Sequence, residues 1–213
     1  MRLAGHVVRY EDSGGGPPVV LVHGLGGSAR WWRSTTESLA RDHRVIVPEL
    51  PGFGYGIGAP RFRLPDAIQV LGRLVERLGL ERPALVGHSL GALVCLGVAA
   101  AMPGAVGRLV LISPPVRTAS GHLAGNLVPM VRTLAGLSPA AALTVVSDVA
   151  TRSPAALLGA AEEILARRGD PGIAGPPPVP AMVVLGARDA VVPVGGVDWI
   201  ARVLPDARVV VIP

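Results

Sequence analysis

The sequence predicts an α/β fold, a mostly parallel sheet with helices on both faces and one helical insertion. Three observations carry that prediction. Short aliphatic runs, of the kind a strand buried on both faces requires, recur at Val19–Val22, Arg44–Val47, Ala84–Val86, Leu109–Ile112, Met182–Leu185 and Val209–Ile212. Stretches at helical spacing separate most of them, and strands alternating with helices favour parallel pairing through right-handed crossovers. From about Arg117 to Gly169 the alternation stops, and three helix-like segments follow one another without a strand.

Along the chain, His6–Tyr10 reads as a short strand and Ser13–Pro18 as a glycine-proline turn. The run Val19–Val22 ends in His23-Gly24-Leu25-Gly26-Gly27, a loop with little side-chain bulk, and Ser28 is placed to cap the helix through Trp31, Trp32 and Leu39. The next strand runs into Pro48-Glu49-Leu50-Pro51-Gly52-Phe53-Gly54. Asp66 then opens an amphipathic helix with Ile68, Leu71, Leu74, Val75 and Leu78 on one face. Ala84–Val86 leads through Gly87 into a long apolar helix. The three helix-like segments are Leu123–Leu137, Ala140–Ala150 and Ala155–Ala166, separated by Ser138-Pro139 and Ser153-Pro154, and serine followed by proline suits a helix start. An insertion of this kind is expected to cap the strands' C-terminal edge, where ligands bind in such sheets. The glycine- and proline-rich tract Gly169–Pro180 returns the chain to the sheet. The expected organisation is therefore a core of residues 1–116 and 180–213, with residues 117–179 as cap and return linker.

Composition narrows the function classes. A chain of 213 residues suits one domain with a full-sized core, and with 50% hydrophobic and 16% charged residues it is expected to be ordered. All 20 basic residues are arginine, for a formal charge of +5, but they sit singly or in pairs such as Arg61/Arg63 and Arg167/Arg168. No clustered charge with stacking aromatics marks a nucleic-acid surface, so no nucleic-acid partner is expected. The single cysteine, Cys95, excludes an internal disulfide and reads as a small core residue. The N-terminus lacks a signal-peptide pattern, and the most apolar stretch, Leu90–Val106, is interrupted by Pro103 and short for a membrane span. The cytoplasm is the expected compartment, with no membrane partner.

The chemistry concentrates in Gly87-His88-Ser89-Leu90-Gly91, a G-x-S-x-G pentapeptide between an apolar strand and an apolar helix. That context is what a nucleophile elbow needs: a strained turn lifts the serine hydroxyl above the sheet, and the helix N-terminus favours negative charge beside it. An acyl-transfer oxyanion needs two fixed backbone donors. The amides of Leu90, just after the serine, and of Leu25, in the loop after an early strand, are the candidates. His23 is read as bracing that loop by hydrogen bonds rather than as a catalytic base.

Taken together, these residues resemble the α/β-hydrolase fold family, in its esterase-like branch. The matching positions are His23-Gly24 after one strand, Pro51-Gly52-Phe53-Gly54 after the next, the elbow at Ser89, and Gly186-Ala187-Arg188-Asp189 after a late strand. Glu49 stands where relatives usually carry aspartate. The resemblance implies Ser89 as nucleophile and Asp189 as triad acid. It also implies acyl transfer to serine rather than the alkyl-ester chemistry of relatives with aspartate at the elbow. Trp32, His88 and His122 are candidate pocket residues. The apolar residues of the insertion, Leu123, Leu127, Met130, Leu134, Leu143, Val146, Leu157 and Leu158, suggest an apolar acyl or alkyl group on the substrate. The expected activity is carboxylesterase-type hydrolysis of a small ester or thioester. Carbon–carbon bond hydrolysis, lactone opening and perhydrolysis use the same constellation. No metal or organic cofactor is implied, because no ligand cluster or phosphate-binding glycine pattern is present.

In that family the triad histidine follows the last strand, here Val209–Ile212, and the sequence given stops at Pro213. The five histidines, His6, His23, His43, His88 and His122, all precede Asp189. Only His122, at the start of the insertion, is a conceivable substitute. Loss of the histidine from a subtilisin triad costs about 10⁶ in kcat, so these residues are expected to be severely impaired as a hydrolase. The C-terminal end of the fold is expected to be incomplete, leaving apolar sheet surface that could favour self-association. A truncated hydrolase is the preferred explanation. The alternative is a non-catalytic relative that binds a ligand or partner.

Overall fold

The structure is a computed structural model, and it describes residues 1–53, 61–115, 133, 135–167, 177–192 and 198–213. Strands β1 (Arg2–Leu3) and β2 (His6–Val7) form a two-stranded antiparallel ribbon. The main sheet has seven strands: β3 (Tyr10–Ser13), β4 (Pro18–Val22), β5 (Arg44–Pro48), β6 (Ala84–His88), β7 (Arg108–Ile112), β8 (Ala181–Gly186) and β9 (Arg208–Ile212). Their order is β3-β5-β4-β6-β7-β8-β9, and every pairing is parallel except β3 with β5. The helices among the described residues are α1 (Arg33–Leu39), after a 3-10 turn at Ala29–Trp32, α2 (Leu64–Arg77), α3 (Leu90–Ala101), α4 (Pro139–Thr151), α5 (Pro154–Arg167) and α6 (Asp198–Val203), which precedes β9.

The sheet is mostly parallel, with helices on both faces, as the aliphatic runs require. Alternation along each strand sends side chains to two cores. Val20, Val22, Ile46, Leu85, Leu109, Leu111, Val183 and Leu185 face α2, α3 and α6, while Val19, Leu21, Val45 and Val47 face Ala29 and Trp32. Beyond α1 this second face is thinly covered. Val110, Ile112, Met182, Val184 and Val210 share it by register and are only half-buried, and Ile212 is 54% exposed.

Four differences from the sequence reading have local causes. His6–Tyr10 is not one strand. The chain turns at Ala4 and Gly5, both at positive φ, so His6–Val7 pairs back on β1, and β3 begins at Tyr10. Helix α2 starts at Leu64, two residues before Asp66, because Pro65 suits the first turn, where its missing N–H is no loss. Helix α6 was not anticipated. It buries Trp199 and Ile200, but the residues before it give no clear start signal. Trp32, expected at the pocket, instead packs into the second core with Val19, Leu21, Val45 and Val47.

Within the insertion, α4 and α5 lie where the two Ser-Pro pairs placed them. Ser138 caps α4 by accepting a hydrogen bond from the Ala141 N–H at 3.3 Å. Most of the segment Leu123–Leu137, together with His122 and most of the Gly169–Pro180 tract, lies outside the described residues. Among the described residues, no helix is long and apolar enough to cross a membrane.

Candidate functional site

The C-terminal ends of β4 and β6 meet at Ser89. It has φ 50° and ψ −117°, a left-handed backbone that a serine adopts only when its surroundings enforce it. Two glycines do so. A Cβ on Gly87 would stand 2.3 Å from the Gly91 carbonyl oxygen, and one on Gly91 would stand 2.4 Å from the Val22 carbonyl oxygen. Strand, turn and helix therefore close on one another at backbone distance. Ser89 donates its own N–H to the Ile112 carbonyl at 2.9 Å, tying the elbow to β7.

The loop after β4 lies against the elbow. A Cβ on Gly24 would come within 3.1 Å of the Ser89 Cβ, so only glycine lets this backbone approach Ser89. The Gly27 N–H closes a turn on the Gly24 carbonyl at 3.1 Å, with Gly26 at φ 71°. Among the described residues, neither the Leu25 nor the Leu90 N–H has a hydrogen-bonded acceptor.

His23 is buried, and both ring nitrogens are engaged. Nδ1 donates to the Gly24 carbonyl at 2.9 Å, and Nε2 accepts the Leu50 N–H at 3.1 Å. That pairing fixes a neutral tautomer, and burial lowers its pKa to about 4. Phe53 packs edge-on to the ring, with centroids 5.7 Å apart. A neutral imidazole with both nitrogens occupied braces the loop and is not free to take a proton from Ser89.

His88 packs against Gly24 and the Trp31 ring, 5.8 Å from the latter, and its Nδ1 is sealed from solvent without a partner among the described residues. Burial pushes its pKa down to about 4, against the pull of the Asp189 carboxylate. Trp31, not Trp32, is therefore the tryptophan beside the site, and it also lies against Gly27. The sequence lacked the helical phase needed to separate the two.

Asp189 follows β8, two strand positions from β6, which at the usual spacing places it about 10 Å across the sheet edge. Its Oδ1 accepts the amides of Val191 and Val192 at 2.9 and 3.0 Å, and its Oδ2 accepts the Ser113 hydroxyl at 2.9 Å. Ser113 was not anticipated. It directly follows β7 at φ 42°, just before Pro114, and so adopts an unfavourable backbone at the strand tip between Ser89 and Asp189. Among the described residues, the hydrogen-bond partners of Asp189 are these amides and this hydroxyl, with no imidazole.

Glu49 sits behind the loop after β4. Its Oε1 accepts the Ala29 N–H at 3.0 Å, and its Oε2 lies 3.8 Å from both the His23 Nε2 and Arg152 Nη2 atoms. Burial raises its pKa, and the Ala29 hydrogen bond opposes that shift.

A sharp strand-to-helix turn at a serine, a glycine loop lying against it, and a carboxylate after a later strand match the α/β-hydrolase arrangement. The family's model, described as alpha/beta hydrolase fold, matches residues 17–136, more than half of the chain, and the chain belongs to that family. Among its relatives is the 2-hydroxy-6-oxo-2,4-heptadienoate hydrolase of Pseudomonas putida, 39% identical over 121 residues, which are 53% of this chain and 43% of that protein. Another is the dihydrolipoyllysine-residue acetyltransferase component of the acetoin cleaving system of Pseudomonas putida, 37% identical over 114 residues, 52% of this chain and 31% of that protein. The matched region is thus less than half the length of either relative. A thermophilic esterase from Thermogutta terrifontis superposes with a TM-score of 0.74 at 25% identity, covering 97% of this chain and 84% of that one.

Proposed function

We propose that the chain carries the nucleophile, oxyanion loop and acid of a carboxylesterase-type serine hydrolase acting on a small ester or thioester with an apolar group. The observation that carries this reading is Ser89, held at a strained backbone by Gly87 and Gly91 with the Gly24 loop against it. The similarity to a solved esterase supports the same class. In the reaction, Ser89 Oγ bonds to the acyl carbon as its proton passes to a base. The carbonyl oxygen, now negative, is held by the Leu25 and Leu90 amides, and the alcohol or thiol leaves with the proton. Water then repeats the attack on the acyl-enzyme and frees the acid and the serine. Asp189 would orient an imidazole between itself and Ser89.

The apolar group is supported by the insertion. Val149 and Leu157 lie against Gly26 of the loop, and Leu143, Val146 and Leu158 are exposed nearby on α4 and α5. Both ring nitrogens of His23 are already engaged, and burial, which lowers the His88 pKa to about 4, makes that imidazole a weak base, so neither is assigned that role. Acylation of Ser89 is expected to respond to imidazole added in solution.

The test is labelling with a fluorophosphonate, alongside hydrolysis of p-nitrophenyl esters of increasing chain length. We expect Ser89 to be the labelled residue, imidazole to speed labelling, and Ser89→Ala to abolish it. Labelling unaffected by Ser89→Ala would end this reading. Saturable binding of an ester without acylation of Ser89, imidazole present, would favour instead a non-catalytic protein that binds a small ligand or a partner.

A further inference from the structure

The corner between α4 and α5 grips the loop after β4 residue by residue. Val149 and Leu157 crowd Gly26, leaving a Cβ there only 2.8 Å from the Val149 side chain. Arg152 donates from Nη2 to the Gly27 carbonyl at 3.0 Å and from Nη1 to the Phe53 carbonyl. The Ser28 hydroxyl donates to Asp148 Oδ2 at 2.6 Å, and Arg30 donates to Asp148 Oδ1 at 3.0 Å. The Ala29 amide is taken by Glu49, whose other oxygen lies 3.8 Å from Arg152. Asp148 Oδ1 is 3.9 Å from the same guanidinium. Five consecutive residues, 26–30, are thus held from outside their own turn, most of them from one corner about 120 residues further along the chain.

The site reading does not require this cluster. Asp148 and Arg152 are both buried, and removing ions from water is costly unless each is paired and hydrogen-bonded. Two carboxylates and two guanidiniums meet here, and the guanidinium fork spans two carbonyls that no lysine could reach together. The place so fixed is the turn Gly24–Gly27, which contains the Leu25 amide. Glu49 belongs to the same arrangement. Its chain is one methylene longer than an aspartate, and it reaches both the Ala29 amide and the neighbourhood of Arg152 from the end of β5.

We propose that Arg152, set between Asp148 and Glu49, is a positioning residue for the oxyanion loop, so that the α4–α5 corner fixes the aim of the Leu25 N–H at the Ser89 reaction. This rests on the reading of Leu25 as an oxyanion donor. Loss of one such donor lowers the acyl-transfer rate about 10²–10³-fold, and a donor swung out of line is expected to approach that loss.

The experiment measures kinact and KI for fluorophosphonate labelling of Ser89 in the presence of imidazole, with amide exchange of residues 23–28 followed in parallel. Arg152→Met is expected to lower kinact at least about 10²-fold, to leave KI within about threefold, and to speed exchange across residues 24–28. Arg152→Lys, which keeps the charge but not the fork, is expected to fall between it and the parent. Arg61→Gln, which removes an exposed pairing of Arg61 with Glu162 on α5, serves as the control and is expected to match the parent. If Arg152→Met does not fold, Asp148→Asn and Glu49→Asp are to be read in its place, with the same signature. Parent-like kinact and parent-like exchange in these variants would overturn the proposal. If no protein labels at Ser89, the nucleophile reading fails, and the exchange data alone decide whether the corner orders the loop.

Discussion

Substituting Gly91 by alanine tests the elbow without touching a reacting atom. The new Cβ would stand 2.4 Å from the Val22 carbonyl oxygen and 2.6 Å from that of His23, whereas ordinary contact begins at 3.4 Å. The required retreat is about 3.4 − 2.4 = 1.0 Å. Strand β4 cannot supply it, because it is paired on one side with β5 and on the other with β6, Val22 lying opposite Gly87. The first turn of α3 must move instead, and the Leu90 amide and Ser89 move with it. Overpacking of this kind costs about 1–3 kcal/mol, partly offset by alanine's helix preference of up to about 1 kcal/mol. With the full offset, a net loss of up to about 2 kcal/mol lowers Tm by up to roughly 8 °C in a chain of this size. A misplacement of about 1 Å at a reacting centre costs on the order of 10²-fold in rate. Fluorophosphonate labelling with imidazole present, read beside thermal unfolding, should therefore show a modest Tm change and a large rate change. Gly15→Ala, where nothing lies within 4 Å of the added Cβ, is the matched control. A Gly91→Ala protein with parent Tm and parent labelling rate would refute the claim that helix, turn and loop touch at backbone distance.

Acid should weaken the fold through His23. Its folded pKa of about 4 lies below the ordinary 6.5, so the unfolded chain takes up a proton that the folded chain refuses. Stability from this group is complete above about pH 6.5 and falls, as pH drops toward 4, by up to about 1.4 kcal/mol per pH unit. Urea unfolding at pH 7 and pH 5 should show that decline, and His23→Gln should lose this part of it. Glu49, raised by burial, acts in the opposite direction, so the difference between parent and variant is the quantity to measure. A variant with the parent's pH dependence would contradict the account. For Ser113, alanine removes a hydrogen bond to a charged group worth about 1.5–3 kcal/mol, less at this half-buried site, and should slow Ser89 labelling. Ser113→Gly should recover stability by relieving the positive φ, without recovering labelling, and a glycine variant that labels at the parent rate would remove Ser113 from the site.

The parts of the fold that can be read from sequence are those whose causes are local. Gly87, Ser89 and Gly91 announce the elbow because the steric demand lies within a few residues of each. Ser138-Pro139 announces α4 because a cap and a first-turn proline act within one turn. Ser113 carries no such signal, since its role depends on β7 and β8 being neighbours, and Ile112-Ser113-Pro114 alone does not state what it faces. Trp31 and Trp32 differ only in phase, and a 3-10 turn before α1 sets that phase. Asp148 and Arg152 read as ordinary charges on a helix end, because their partners, Ser28, Gly27, Phe53 and Glu49, lie about a hundred residues earlier.

That division has a physical order to it. Within residues 17–136, where the family match falls, the elements of the proposed site are largely backbone: a strained turn, two amides, and glycines that permit close approach. Such elements are encoded by the absence of side chains and tolerate little change. Asp148, Arg152 and Asp189 lie beyond the match, and each acts through a side chain on that backbone frame. Asp189 is anchored by two amides of its own loop, so its position follows from β8 alone, with Ser113 trimming its aim. Arg152 reaches out of its own corner, donating to the carbonyls of Gly27 and Phe53, which both lie in core loops. If Arg152 positions the Leu25 amide as proposed, a change in the α4–α5 corner reaches the Gly24–Gly27 turn directly, while Ser89 and Asp189 stay where the sheet puts them, and variation in that corner would retune the reaction by moving one amide.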